Sequence, residues 1–281
     1  MLRPMKLSMR QVQSILILKT KIYKGISMES NKILNIIIPV LNEEKRLENG
    51  IRGAMAFLRE AKIPHIISIV DNGSSDSTQE IAKSLCEELN ANTLEFISQV
   101  EYLRLEERGV GLALREAIAH NTKRSEPCGF IGYMDIDLST DIGHLQEVYE
   151  NLKNGVEIIV GSRLLKDSVV IGRSLKREIL SRTLNLILKI ALKAKFSDAM
   201  CGFKFYQSQV ALNLKNLCND DKSWFYCTQM LVIAQYHNIP IKEIAVKWED
   251  ESTDSKVRIF SLSRIYLSEI WRLFKLLRLK K

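Results

Sequence analysis

Ile33-Leu34-Asn35-Ile36-Ile37-Ile38-Pro39-Val40 is a nearly continuous apolar run, rich in Ile. Such a run is expected of a strand buried on both faces of a parallel sheet. Working outward, strand and helix patterns alternate. Asn42 is placed to cap a helix over residues 44–61. Residues 66–70 read as a second buried strand, stopping at the turn residues Asp71-Asn72-Gly73-Ser74. A helix over 76–89, a short strand over 94–98, a helix over 111–121 and a strand over 130–134 follow. The last of these ends on Asp135, and a helix over 142–153 leads to a strand over 157–160. Regular alternation of this kind predicts an α/β fold, Rossmann-like, with a mostly parallel sheet flanked by helices.

Ligands of such sheets sit beyond the carboxyl ends of the strands. The polar clusters fall there: Asn42-Glu43, Asp71-Asn72, Asp135 to Asp137, and Gly161 to Arg163. After residue 163 the rhythm changes, with helices expected over 176–194, 224–237 and 264–279 and a strand over 241–246. No internal repeat or low-complexity linker interrupts the chain.

The 281 residues, 46% of them hydrophobic, are enough for one large α/β domain with a short appendage. A formal net charge of +8 suits solubility or an anionic partner, and charge alone does not choose between them. No recognised nucleic-acid motif or aromatic-interleaved basic patch points to nucleic acid. Five cysteines without a CxxC pair argue against a disulfide framework or a zinc site and for a reducing compartment. No apolar run approaches the roughly 20 residues of a membrane span. Residues 1–30 are basic and weakly hydrophobic and read as a flexible extension.

Three constellations carry chemistry. Asp135-Ile136-Asp137 puts two carboxylates one residue apart at a strand end, where both can reach a hard divalent cation. A bare Asp-x-Asp is common; its place after an apolar strand singles it out. Val70 to Asp76 is a strand-to-helix turn with Asp71 where a base or ribose would be met. Arg108-Gly109-Val110-Gly111, with Arg115 beyond, opens a helix whose N-terminus attracts anions, or is simply a glycine turn.

Pro39-Val40-Leu41-Asn42-Glu43, then Val70 to Ser74, then Asp135-Ile136-Asp137-Leu138-Ser139, in that order, resemble family 2 glycosyltransferases of the GT-A fold. Gly161-Ser162-Arg163, Cys201-Gly202-Phe203-Lys204, Trp248 and Asp254 to Val257 resemble the polyprenyl-phosphate branch, the dolichyl-phosphate glucosyl- and mannosyltransferases. The likeness spans nearly the whole chain from Ile33. It implies a transferase domain over 31–260 and a basic amphipathic helix over 261–281. It implies that Pro39, Glu43 and Asp71 line the nucleotide, with Arg108, Gly109, Arg115 and Lys256 toward its phosphates. Asp135 and Asp137, with Ser139, would hold Mg²⁺ or Mn²⁺. Arg163, Arg177 and Ser181 would bind the acceptor phosphate. Arg177 and Ser181, four apart, would share one helix face.

The implied activity is inverting sugar transfer from a UDP- or GDP-linked donor to a polyprenyl phosphate, with Asp137, Arg163, Arg177 and Ser181 as the reacting-site residues. An anionic acceptor attacks without a strong general base, so catalysis reduces to positioning and to stabilising the leaving nucleoside diphosphate. The alternatives are a saccharide acceptor, or a degenerate nucleotide-sugar-binding subunit of a membrane complex. Leu262, Ile265, Tyr266, Ile270, Trp271, Phe274 and Leu277 recur at helical spacing among basic residues. They predict either a helix docked on the core or one lying on a membrane surface. The expected location is cytoplasmic, peripheral on the cytosolic face of a membrane or held there by an integral partner. One departure stands out: Cys227 and Gln229 occupy positions where the resembled family commonly carries acidic residues, which predicts altered specificity.

Overall fold

The computed structural model describes residues 32–91, 94–250 and 259–278. In chain order, β1 (Leu34–Val40), α1 (Leu47–Glu60), β2 (His65–Asp71), α2 (Thr78–Asn90), β3 (Ser98–Arg104), α3 (Val110–Thr122), β4 (Phe130–Met134), α4 (His144–Lys153) and β5 (Ile158–Ser162) alternate as the apolar pattern requires. There follow β6 (Val169–Ile171), α5 (Leu175–Leu192), β7 (Phe203–Gln207), α6 (Ser208–Leu217), α7 (Phe225–Tyr236), β8 (Ile241–Ala245), β9 (Lys247–Glu249) and α8 (Ile259–Arg278).

The main sheet has seven strands in the order β3-β2-β1-β4-β7-β5-β8, and β6 pairs with β9 in a separate parallel ribbon. β1 lies near the middle, parallel to β2 and β4. Its residues are buried on both faces. Leu34, Ile36 and Ile38 pack in one core cluster with Leu47, Ile51 and Met55 of α1, while Ile37 packs in the other with Ala113 and Leu114 of α3. Asn35, on the second face, is tolerated because its amide donates to Ser68 Oγ at 2.7 Å.

Three differences from the sequence expectation shape the site. The strand expected over 94–98 lies further on, at Ser98–Arg104. It is an outer strand with only Ser98 and Val100 buried, so its sequence lacks a continuous apolar signal. Strand β7 was not anticipated: it is short and carries a lysine among aromatics. It runs antiparallel between β4 and β5, pairing Met134 with Phe203. Its first residues therefore lie beside the carboxyl end of β4, where ligands bind in such sheets. Asn42 does not cap α1. It adopts a left-handed φ of 55° and its Oδ1 accepts from Ser75 N at 2.8 Å, tying the end of β1 to the turn after β2.

The N-terminal extension, Lys256 with its flanking segment, and the side chain of Leu262 lie outside the described residues. No helix among the described residues is long and apolar enough to cross a membrane.

Candidate active site

Beyond β4 the chain turns sharply at Asp135-Ile136-Asp137. Leu138 takes φ 52°, a conformation rare for a bulky residue and one that marks a tightly constrained turn. Ser139 N donates to Asp137 Oδ1 at 3.0 Å, which fixes that carboxylate. Gly202, at the start of β7, faces Asp135: a Cβ there would stand 1.9 Å from Asp135 Oδ2. Only glycine leaves room for the carboxylate. Burial and the neighbouring Asp137 carboxylate push Asp135 up to about 7, against the pull of Lys204 and Arg163. Two hard oxygen donors, one of them held at such an electrostatic cost, are what a divalent cation would relieve. The residues therefore fit a metal.

Behind the acid pair lies a buried charged layer. Lys204 is 0% exposed in the middle of the sheet, and its ammonium donates to Tyr133 Oη at 3.1 Å and to the Cys201 carbonyl. Cys227 lies beside Tyr133, and burial pushes its thiol up to about 11. Cys227 is thus a neutral core residue, not a thiolate nucleophile. Gln229 is also buried, and its Oε1 finds no partner among the described residues.

Arg163, at the end of β5, forms a two-pronged pair with Asp198, Nε to Oδ2 at 2.8 Å and Nη2 to Oδ1 at 3.1 Å. Met200 N also donates to Asp198 Oδ1 at 3.0 Å. Burial drives Asp198 upward, but Arg163 outweighs it and holds the carboxyl down at about 2. Burial pulls the Arg163 guanidinium down, and Asp198 more than restores it. The Arg163 guanidinium also lies 5.5 Å from the Trp248 ring, and Arg173 5.9 Å from the same ring.

In the first turn of α5, the Arg177 guanidinium pairs with Asp250. Ser181 is buried, and its hydroxyl has no partner among the described residues. The β6–β9 ribbon joins these groups to the acid loop. Thr140 bridges to Trp248, Glu249 N donates to Ser139 O at 2.8 Å, and Asp250 N donates to Ile171 O at 3.1 Å. Arg163, Arg177 and the acid loop are therefore linked through one short ribbon, with Ser181 one turn beyond Arg177 on α5.

The nucleotide-side residues are arranged less simply. Pro39 and Glu43 are half-buried at the end of β1, with Glu43 Oε2 accepting from Arg46 Nε at 2.8 Å. Asp71 is fully buried. Its oxygens accept from Ser74 N at 2.7 Å, Tyr102 Oη at 2.7 Å and Arg104 Nη1 at 2.9 Å. In this structure it shapes the turn, while Tyr102 and Arg104 stand in front of it. The glycines before α3 have a different partner from the expected phosphate. Gly111 N donates to Lys222 O at 3.0 Å, and Cβ atoms at Gly109 or Gly111 would lie within 2.4 Å of the backbone oxygens of Lys222 or Asp221. Arg115 pairs with Asp220 at 2.9 Å, while Arg108 is exposed. Segment 220–223 thus packs on the start of this helix, in line with the glycine-turn reading of the motif rather than with a phosphate approaching the two glycines.

Residues 35–214 match the family model "Glycosyl transferase family 2". The chain belongs to this family. The transferase is 30% identical over 257 residues to a dolichyl-phosphate beta-glucosyltransferase of Dictyostelium discoideum, covering 86% of this chain and 74% of that one. It is 28% identical over 265 residues to the enzyme of the same name from Homo sapiens, covering 86% and 78%. It is also 30% identical over 229 residues to Glycosyltransferase AglD of Haloferax volcanii, of whose length it spans only 34%. Among solved structures, glucosyl-3-phosphoglycerate synthase from Mycobacterium tuberculosis, in complex with UDP, superimposes with a TM-score of 0.63 over 98% of this chain and 87% of that one. At 14% identity this shows the shared fold.

Several residues of the transferase site escaped the sequence reading. Asp198, Arg173 and Asp250 carry ordinary charges on irregular or amphipathic stretches, where a solvated side chain is the default. Lys204 was legible in part: a lysine inside Phe203-Lys204-Phe205-Tyr206 must either snorkel or find partners.

Proposed function

We propose that the transferase moves a sugar from a nucleotide-diphosphate sugar to a polyprenyl phosphate, inverting the anomeric centre, with a divalent cation held by Asp135 and Asp137. The observation that carries this reading is the juxtaposition of an acid pair with a cradle of arginines. The arginines of the cradle, Arg163 and Arg177, are joined to the acid loop by the β6–β9 ribbon, and the buried Ser181 hydroxyl beside them on α5 has no partner among the described residues. Similarity to dolichyl-phosphate beta-glucosyltransferases supports the acceptor class, and a solved structural neighbour holds Mn²⁺ and UDP-glucose on the same fold.

The cation supplies charge neutralisation for the departing diphosphate. Asp135 and Asp137 would hold it, with Gly202 leaving space for the first carboxylate and Ser139 N orienting the second. Arg163, locked by Asp198, and Arg177 offer forked donors to the acceptor phosphate, and the Ser181 hydroxyl adds one more. No general base is required, because the attacking oxygen is already anionic. The test is transfer of label from UDP-glucose, UDP-N-acetylglucosamine or GDP-mannose, separately, into an organic-extractable product with Mn²⁺ and a polyprenyl phosphate. Label that disappears with EDTA is the expected result. Donor binding with no lipid product would favour a saccharide acceptor or a binding-only subunit.

We infer further that the transferase rests on an anionic membrane surface through α5 and α8 together. α8 docks on the core through Tyr266, Ile270 and Leu273, with Tyr266 edge-on to Phe225 at 5.0 Å. Its outer side leaves Trp271 58% exposed, stacked on Phe274 with Lys275 over its ring. Helix α5 exposes Leu175, Ile179, Leu186 and Ile190 between lysines and arginines, and the outermost of these are 75% and 74% open. Both helices thus fit an interfacial position, with apolar groups inward to lipid and cations at headgroups. Leu186→Glu/Ile190→Glu is expected to cut co-sedimentation with phosphatidylserine vesicles at least about fivefold. Transfer to a short water-soluble acceptor should be untouched. Unchanged vesicle binding would remove α5 from the interface.

A further inference from the structure

Each arginine around the acceptor cradle already has a carboxylate. Arg163 has Asp198, Arg173 has Glu178 at 2.7 Å, and Arg177 has Asp250. The cradle is therefore close to electroneutral before any acceptor arrives. A phosphate monoester brings roughly −1.5 to −2 charges at neutral pH. A phosphate can reach the donors a guanidinium has left, but it takes the full charge of that arginine only where it displaces the resident carboxylate.

The three carboxylates are not equally placed to yield. Asp198 is fully buried and accepts from Arg163 and from the Met200 backbone. Glu178 stands on α5 itself and also pairs with Arg182. Asp250 comes from a different segment, directly after the three-residue strand β9, and faces the more exposed Arg177, which is 30% open against 10% for Arg163 and 7% for Arg173. It is seated over Gly172, whose φ of 73° and missing Cβ allow the close approach of the Asp250 backbone. Ser181, on the Arg177 face of α5, keeps a buried hydroxyl with no partner among the described residues.

We propose that Asp250 is a built-in placeholder anion: its carboxylate occupies Arg177 until an acceptor phosphate displaces it. This rests on the acceptor reading given above. The device acts as a filter on acceptor chemistry. A phosphate replaces one anion on Arg177 by a stronger one and supplies an acceptor for the Ser181 hydroxyl. A neutral sugar hydroxyl can do only the second, and would leave Arg177 with Asp250. Asp250 is then a specificity-determining residue, set against every acceptor that lacks the charge to compete.

The experiment is calorimetric titration of the full-length chain with farnesyl monophosphate in detergent, and with farnesol as the neutral control. Asp250→Asn should bind farnesyl monophosphate about tenfold more tightly than the unsubstituted chain, because the competitor is gone. Arg177→Gln should bind it more weakly, and Arg177→Gln/Asp250→Asn no more tightly than Arg177→Gln, since the two residues act on one contact. Asp250→Ser serves as a second variant if the asparagine protein melts early. Equal or weaker binding by the Asp250 variants, with Arg177→Gln still impaired, would make Asp250 an orienting partner and overturn the placeholder. Absence of farnesyl monophosphate binding to the unsubstituted chain, while UDP-glucose or GDP-mannose still binds, would instead overturn the acceptor reading itself, and the placeholder with it.

Discussion

Asp135→Asn protein is expected to transfer sugar at least about a thousandfold more slowly, yet to melt at a higher temperature than the unsubstituted chain in EDTA at pH 8. The two effects have one cause. Burial first, and Asp137 second, raise the Asp135 carboxyl from 3.8 to about 7 in the metal-free fold. The folded chain therefore holds a proton there that the unfolded chain has already released. Stability from this group is fully present below about pH 4 and is lost as the pH rises to about 7. Above that, the metal-free fold carries an unrelieved charge. Allowing for solvent in the open cleft, asparagine should recover about 1–2 kcal/mol at pH 8 and almost nothing at pH 4. Mn²⁺ should raise the melting temperature of the unsubstituted chain, more so as the pH passes 7, and leave the variant unmoved. Thermal melts at the two pH values, with and without metal, check each part. A variant no more stable at pH 8 than at pH 4, relative to its parent, would remove the electrostatic account of the acid pair. Retained activity would remove the metal assignment.

The acid pair was legible because strand β4 announces itself: Phe130 to Met134 is a five-residue apolar run, and Asp135 is the first polar residue after it. The same logic placed β1, β2 and β5 and the clusters at their carboxyl ends. It failed where secondary structure is short and set by tertiary contact. Strands β6 and β9, three residues each, have no periodicity of their own, yet β9 and the residue after it set Trp248 against Arg163 and Asp250 against Arg177. It failed again where a residue type has two uses. Gly109 and Gly111 read either as room for a phosphate or as a simple glycine turn; they give room to Lys222 and Asp221, and nothing in the local sequence separates one close approach from the other. Cys227 was flagged by comparison with the resembled family. Its surroundings, Tyr133 of β4 and the buried Lys204 of β7, are brought to α7 by tertiary packing, which no local pattern encodes. With a neutral thiol at 227, Lys204 has Asp135 and Asp198 as its carboxylate neighbours. That couples the unusual residue to the acid pair.

Breaking the Arg163–Asp198 pair should have the largest effect on folding. Asp198 is 0% exposed and Arg163 10%, and every oxygen of the carboxylate is used. Removing one partner of such a pair leaves a buried charge unmatched and costs about 3–5 kcal/mol, most of it the desolvated survivor rather than the lost attraction. Asp198→Asn keeps the shape and one acceptor for Met200 N but leaves Arg163 without a counter-charge. Its melting temperature should fall by roughly 10 °C near neutral pH. The deficit should shrink in acid: the folded Asp198 carboxyl sits at about 2 against an ordinary 3.8, so its stabilisation is complete above about pH 4 and fades toward pH 2. The paired replacement Arg163→Met/Asp198→Leu removes both charges together and should regain most of the lost stability, since apolar groups of similar volume often match or better a buried ion pair. It should not regain transfer, because the guanidinium offered to the acceptor phosphate is gone. If the double variant folds as well as the parent and also transfers sugar, Arg163 is scaffolding for the end of β5 and the acceptor phosphate is held by Arg177 and Ser181. If Asp198→Asn alone melts like the parent, the pair is open to water, and the cradle's electrostatics rest on Trp248 and Lys204 instead.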